Sequence, residues 1–365
     1  MPRNNLLLQA VRKKGVPSKI LVIRSSAMGD VAMTSPVLAE VARRYPQTQM
    51  VVLTRGFYEP FFDGIPNLTF HNIDLADYHR GGRGLLRLYG ELRKAHSDVE
   101  MVVDLQDKIY SKFLRKFYFL RGIPSRHIDK GRAEKKALTA MPDKGKVMRP
   151  LRTSVERYAD VFRAAGFDLP PIAADLSACR QVRPVPKGLG VVREQEELWV
   201  GMAPFAQHKG KVYPLEKMSR VAAMILERYP TARIFIFGGG SEERQLAEEA
   251  ARKAATERCV SVVGRFTLRE ELDLIANLAL MVSMDSSAMH MASLMGIPVV
   301  SVWGATHPYA GFLGLGQREE DAVGLPMNCR PCSVYGHKEC WRGDYACLND
   351  LTPEQVFERV TVHLG

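Results

Sequence analysis

Short, unbroken apolar runs alternate along this chain with stretches whose apolar residues recur every three or four positions. Residues 19–24 (KILVIR) are a run of the first kind, as a strand covered on both faces requires. The same signature predicts strands over 50–54, 68–73, 101–105, 198–203, 233–237, 259–263, 280–283 and 298–302. Helical periodicity predicts helices over 31–45, 85–96, 110–120 and 154–165. It predicts further helices over 214–229, 241–254, 268–278, 286–294 and 352–364. Strand followed by helix, repeated, is the order of a parallel doubly wound α/β sheet.

The alternation breaks once. Pro170, Pro171, Pro184 and Pro186 fall in an irregular stretch, which predicts a linker over 170–196. A first Rossmann-like domain over 1–169 and a second over 197–350 are expected on either side. Residues 351–365 form a C-terminal helix that packs back on the first domain. Open sheets of this kind bind ligands beyond the C-terminal ends of their strands. Two such domains therefore suit an interdomain cleft that joins a nucleotide-linked donor to an acceptor. Neither half carries GxGxxG or GxxxxGK[ST], which argues against a dehydrogenase and a P-loop ATPase.

Composition narrows the class. With 365 residues, 46% hydrophobic and 25% charged, the chain is ordinary for a globular protein. No apolar run is long enough to span a bilayer. Leu6, Leu7 and Leu8 ahead of Arg12, Lys13 and Lys14 make no signal-peptide core, so a cytoplasmic location is expected. The formal net charge is +11, and residues 108–152 hold fourteen Lys or Arg against three acids. That stretch alone carries the excess of the whole chain. It is either a solvated face or a patch for an anionic partner. No nucleic-acid motif accompanies it, so nucleic acid is not the expected partner.

Four loops carry candidate chemistry. Ser25 to Asp30 (SSAMGD) follows the first strand. Gly29 allows a tight turn and close approach of a substrate, and Asp30 is either a helix cap or a general base. Asp285, Ser286 and Ser287 start a helix whose backbone N–H groups suit a phosphate, and His290 follows one turn later as a ligand or a structural residue. Lys211, before Tyr213-Pro214, offers a positive charge to a diphosphate or is a solvated loop lysine. Glu242 and Glu243 follow Gly238 to Gly240. They either bind ribose hydroxyls or complement the helix dipole. There is no DxD sequence, so no metal is expected to be required for catalysis. Six cysteines are present. Cys179 and Cys259 read as isolated packing residues. Cys329, Cys332, Cys340 and Cys347 read either as a four-ligand structural zinc site or as a reduced, packed loop.

Taken in order, these elements resemble glycosyltransferase family 9, the ADP-heptose:lipopolysaccharide heptosyltransferases, over nearly the whole chain. The strand followed by S-x-x-G-D is Ile23 to Asp30, and D-x-Q-x(4)-S is Asp104, Gln106 and Ser111. Lys211 precedes an aromatic-Pro pair. D-[ST]-[GS]-x-x-H-x-A is Asp285, Ser286, Ser287, His290 and Ala292, with Pro298 beyond it. Val302 to Thr306 matches the strand and G-x-T turn. The C-x-P-C…C…C pattern also recurs in that family.

The resemblance implies a GT-B fold and inverting transfer of heptose from ADP-heptose to the Kdo/heptose inner core of lipopolysaccharide. Asp30 would be the general base. Lys211, Glu242, Asp285, Ser286, Ser287 and His290 would hold the donor. Ser26, Gly29, Gln106, Lys112, Arg115 and Lys116 would meet an anionic, lipid-linked sugar at the inner membrane surface. A relative using another nucleotide sugar, and a non-catalytic binder of sugar nucleotides or polyanions, are the rival expectations.

Overall fold

The computed structural model describes residues 15–173, 175, 180, 183–194, 196–254 and 256–365. The leucine-rich start at 6–8 and Cys179 lie outside the described residues. The chain forms two compact units. One comprises 1–130 and 154–172, the other 131–153 and 173–365.

In the first unit the strands are β1 (Lys19–Ile23), β2 (Gln49–Thr54), β3 (Leu68–Asn72), β4 (Met101–Asp104) and β5 (Ser125–His127). All are parallel, in the order β3-β2-β1-β4-β5. The register pairs Ile23 of β1 with Leu53 of β2 and Asp104 of β4. Ile20 to Ile23 are buried, because helices cover both faces. These helices are α1 (Met28–Ala32), α2 (Ser35–Arg44), α3 (Gly81–Ala95), α4 (Ile109–Leu120) and α6 (Ser154–Ala164). Leu85, Leu88 and Leu92 of α3 meet Leu114 and Tyr118 of α4 in one cluster. The single helix expected over 31–45 is instead two, α1 and α2, parted at Met33 and Thr34. Pro36, in the first turn of α2, has no N–H to continue the earlier ladder.

In the second unit β6 (Leu198–Ala203), β7 (Ala232–Ile236), β8 (Cys259–Ser261), β9 (Leu280–Met284), β10 (Val299–Val302) and β11 (Ala322–Val323) are also parallel. Their order is β11-β10-β9-β6-β7-β8. Its helices include α5 (Arg132–Leu138), α7 (Leu215–Arg228), α8 (Gly240–Lys253), α9 (Leu268–Ala276), α10 (Ser287–Leu294), α11 (Ala346–Asn349) and α12 (Pro353–Leu364). The core runs from Val200, Val282 and Val300 in the sheet to Val221 and Ile225 of α7.

Three expected boundaries change. Residues 131–153 leave the first unit: Leu138 and Leu151 pack with Ala310, and Leu151 N–H donates to Tyr309 O at 2.9 Å. Described parts of the 170–196 linker are fastened to the second unit. Leu189 is buried there, and Arg183 pairs with Asp273 at 3.1 Å. The C-terminal helix serves the second unit rather than the first. Val356 and Val360 of α12 join its core, and Arg359 and His363 reach Asp321 at 2.6 and 3.0 Å. Among the described residues, no helix is long and apolar enough to cross a membrane.

Candidate active site

Each sheet reverses its strand order once, between β1 and β4 in the first unit and between β6 and β9 in the second. Loops leaving adjacent strands diverge at such a point and leave room for a ligand. Ser26, Gly29, Asp30 and Gln106 follow the strands at the first of these points, and Lys211, Asp285, Ser286, Ser287 and His290 those at the second.

In the first unit, Asp30 occupies the third position of α1, whose N-cap Ala27 has no side chain to cap it. The carboxylate is directed away from a capping role. Its Oδ2 lies 2.6 Å from Arg24 Nη2, and its Oδ1 accepts from the Tyr158 hydroxyl at 2.9 Å. Its side chain is 34% exposed, so the carboxylate is not sealed from solvent. Arg24 is buried, donates to Leu105 O at 2.6 Å and lies 5.3 Å from the Tyr158 ring centre. Burial works against its charge, but Tyr158 and Asp30 more than offset this and hold its pKa above the ordinary value. Arg24 therefore stays cationic and orients the carboxylate. Sequence reasoning did not single out Arg24 or Tyr158. A charged residue closing an apolar strand was a usable signal for Arg24. Tyr158 arrives on α6, far along the chain, without any local signal.

Gln106 is buried beneath this loop. Its Oε1 accepts from Ser25 N at 2.6 Å and from Tyr110 Oη at 2.7 Å. Its Nε2 donates to Ser26 O at 3.1 Å and Ser26 Oγ at 2.8 Å. The amide is thus fully used in holding the 25–27 loop. Gly29 is a buried residue of α1 with no positive φ, so it does not serve as the expected turn glycine. Arg115 is drawn inward to Asp104 at 3.1 Å and Asp107 at 2.9 Å. Lys112 and Lys116 stay exposed on α4, where Ile109, Phe119 and Leu120 also face solvent.

In the second unit, Lys211 Nζ stands 2.8 Å from Asp285 Oδ2 and 3.1 Å from Asp285 O. Both side chains are largely buried, so the pair is fixed and little screened. Ser286 is the N-cap of α10, Ser287 opens the helix, and His290 lies half-buried one turn on. Ser283 Oγ donates to Met284 O at 2.7 Å, so Ser286 is the donor in the 3.2 Å contact between the two hydroxyls. The start of α10 therefore presents backbone N–H groups beside an immobilised lysine, a setting for phosphate. The lysine loop is held by close backbone contact. Gly210 N–H donates to Gly336 O at 3.2 Å, and Ala305 N–H donates to Gly210 O at 2.8 Å. A Cβ on Gly210 would stand 2.7 Å from Gly336 O, so only glycine fits there.

The two acids after the glycine turn take different roles. Glu243 Oε2 accepts from Gly239 N–H at 2.6 Å, which fixes the turn. Glu242 is exposed beside it and remains the candidate for ribose. The cysteines Cys329, Cys332, Cys340 and Cys347 line one pocket with Arg330, Arg342 and Asp344. All four are free thiols. Burial, followed by Cys329 and Cys340, raises the Cys332 thiol above its ordinary value, and burial pushes Cys347 up to about 11. Among the described residues, no group of three or more His, Cys, Asp or Glu is arranged to hold a metal ion.

Comparison with known proteins places this geometry in a family. The family model "Glycosyltransferase family 9 (heptosyltransferase)" matches residues 85–341. Lipooligosaccharide heptosyltransferase 2 of Haemophilus ducreyi is 25% identical over 361 residues, 94% of this chain and 98% of that one. The structure of Escherichia coli ADP-heptose lipopolysaccharide heptosyltransferase II superposes with a TM-score of 0.66 at 20% identity, covering 95% of this chain and 98% of the other. Escherichia coli heptosyltransferase WaaC with ADP-2-deoxy-2-fluoro heptose gives 0.65 at 18% identity, covering 94% and 99%. Both superpositions are likenesses of fold, the two Rossmann-like sheets of GT-B. With the family model spanning well over half of its length, the chain belongs to glycosyltransferase family 9, the heptosyltransferases.

Proposed function

We propose that this glycosyltransferase moves a heptose from ADP-heptose to the Kdo/heptose inner core of lipopolysaccharide, with inversion at the anomeric carbon. One observation carries the reading. One switch point holds an oriented, partly open carboxylate, Asp30, and the other holds Lys211 at a helix start suited to a diphosphate. The reaction needs these two things: a base for the acceptor and charge compensation for the leaving group.

In the proposed step an acceptor hydroxyl gives its proton to Asp30 as its oxygen bonds to the anomeric carbon. The bond from that carbon to the donor phosphate oxygen breaks, and its electron pair leaves with ADP. Lys211 and the N–H groups of α10 bear the charge that develops on the diphosphate. Arg24 and Tyr158 hold the Asp30 carboxylate in place for that proton, which leaves late, when C–O bond formation has already made the hydroxyl acidic. The residues that bear the charge need no metal.

The enzyme acts at the cytoplasmic face of the inner membrane on this reading. Exposed Ile109, Phe119 and Leu120 flank exposed Lys112 and Lys116 on α4, and Arg121 follows, which suits an anionic lipid surface. The test is a mass-spectrometric transfer assay with ADP-heptose and a Kdo-containing lipid A acceptor. A product heavier by one heptose, absent with Asp30→Asn, is expected. Transfer from a different nucleotide sugar in its place would retain the chemistry and refute the heptose. Nucleotide-sugar binding without turnover of any donor would refute the enzyme reading.

A further inference from the structure

The loop 333–338 packs against the stem of Lys211 but plays no part in the chemistry described above. Gly336 brings it there. Its φ is +76°, and a Cβ at that position would stand 2.6 Å from Lys211 Cγ. Ser333 Oγ accepts from Gly336 N–H at 3.0 Å, and Gly336 O accepts from Gly210 N–H at 3.2 Å. The loop and the lysine are thus one fixed assembly.

The residues on either side of Gly336 carry rings. The His337 ring centre lies 6.0 Å from that of His208, which precedes Lys211 by one short turn. Tyr335 lies 6.2 Å from His337 on one side and 5.6 Å from Phe312 on the other. Phe312 is itself held under the Lys135 ammonium at 4.3 Å. Burial, followed by the charges of Lys211 and His337, holds His208 below its ordinary pKa, which puts both groups in its electrostatic surroundings. Tyr335 is nonetheless 46% exposed. A half-exposed ring held near two others, and next in sequence to the glycine that packs on the diphosphate-binding lysine, is suited to the apolar face of a sugar.

We propose that Tyr335 is a specificity residue that packs on the sugar of the nucleotide-sugar donor, with His337 and Phe312 holding its ring in place. This rests on the reading of Lys211 as the diphosphate ligand. Calorimetric titration of the full chain with ADP and with ADP-heptose tests it. Tyr335→Ala is expected to weaken ADP-heptose binding about tenfold while leaving ADP within about twofold. Tyr335→Phe, which keeps the ring and the fold, retains affinity for both. Trp341→Ala, which removes another exposed ring, changes neither. Unchanged ADP-heptose binding in Tyr335→Ala overturns the proposal. So does an equal loss for ADP and ADP-heptose, which marks a diphosphate or folding effect. Absence of ADP binding by the unaltered protein overturns the Lys211 reading, and this one with it.

Discussion

Asp30 was visible from sequence as the acid of the SSAMGD loop, but the choice between helix cap and base was not. The structure turns it to Arg24 and Tyr158, which lie 6 residues before it and 128 residues after it. Only the nearer partner left a trace in the local pattern. Replacing Asp30 by Asn should lower kcat by about 10²–10⁴-fold. ADP affinity measured by calorimetry should not change, and a parallel loss of ADP binding would contradict the assignment. Lys211 and Asp285 form a largely buried ion pair, so removing one charge strands the other. Lys211→Met should therefore lose both ADP affinity and thermal stability. The double variant Lys211→Met/Asp285→Asn should recover stability without recovering ADP binding. Recovery of binding in the double variant would remove Lys211 from the donor site.

At the scale of elements, the major strands and helices of both sheets were legible, because parallel strands leave continuous apolar runs and helices leave their period. β5 and β11 were not: Ser125–His127 (SRH) holds no apolar residue, and Ala322–Val323 is too short to form a run. The motif around Gln106 implies an acceptor contact and does not reveal that its amide is also consumed in holding the 25–27 loop. Gln106→Leu should cost about 2 kcal/mol in denaturant unfolding, since Ser25 N–H and the Tyr110 hydroxyl lose their acceptor. The turn after β10 gives a pH prediction. His307 Nδ1 accepts from Tyr309 N–H at 3.1 Å. Burial, then the charges of Arg330 and Lys146, lowers the His307 pKa from 6.5 to about 4. The unfolded chain takes up this proton below pH 6.5 and the folded chain only near pH 4. Stability from this group is complete above pH 6.5 and declines as pH falls toward 4, by up to about 3 kcal/mol. Urea midpoints at pH 7 and 4.5 should differ less in His307→Gln than in the unaltered protein; an equal difference would contradict this.

At the scale of the whole molecule, two Rossmann-like units were foreseen, but not the route of the chain through them. Residues 131–153 look like more of the first domain in composition, and only tertiary packing of Leu138 and Leu151 assigns them to the second. The division also splits the basic stretch. Arg115 and Lys135 are drawn into contacts, while Lys112, Lys116 and Arg121 remain exposed on one side of the division and Lys136, Lys144 and Arg149 on the other. If α4 meets the membrane, Lys112→Glu/Lys116→Glu should reduce binding to vesicles rich in anionic lipid by more than tenfold, at roughly 1 kcal/mol per charge. Equal binding of both proteins would place the membrane contact elsewhere. The claim on which the account depends is that the second unit holds an ADP-linked donor through Lys211. Calorimetric titration with ADP, UDP, GDP and CMP tests it most directly. ADP should bind at least tenfold tighter than the others, and Lys211→Met should abolish the preference. Tighter binding of UDP or GDP, or no binding of any of the four, would contradict it.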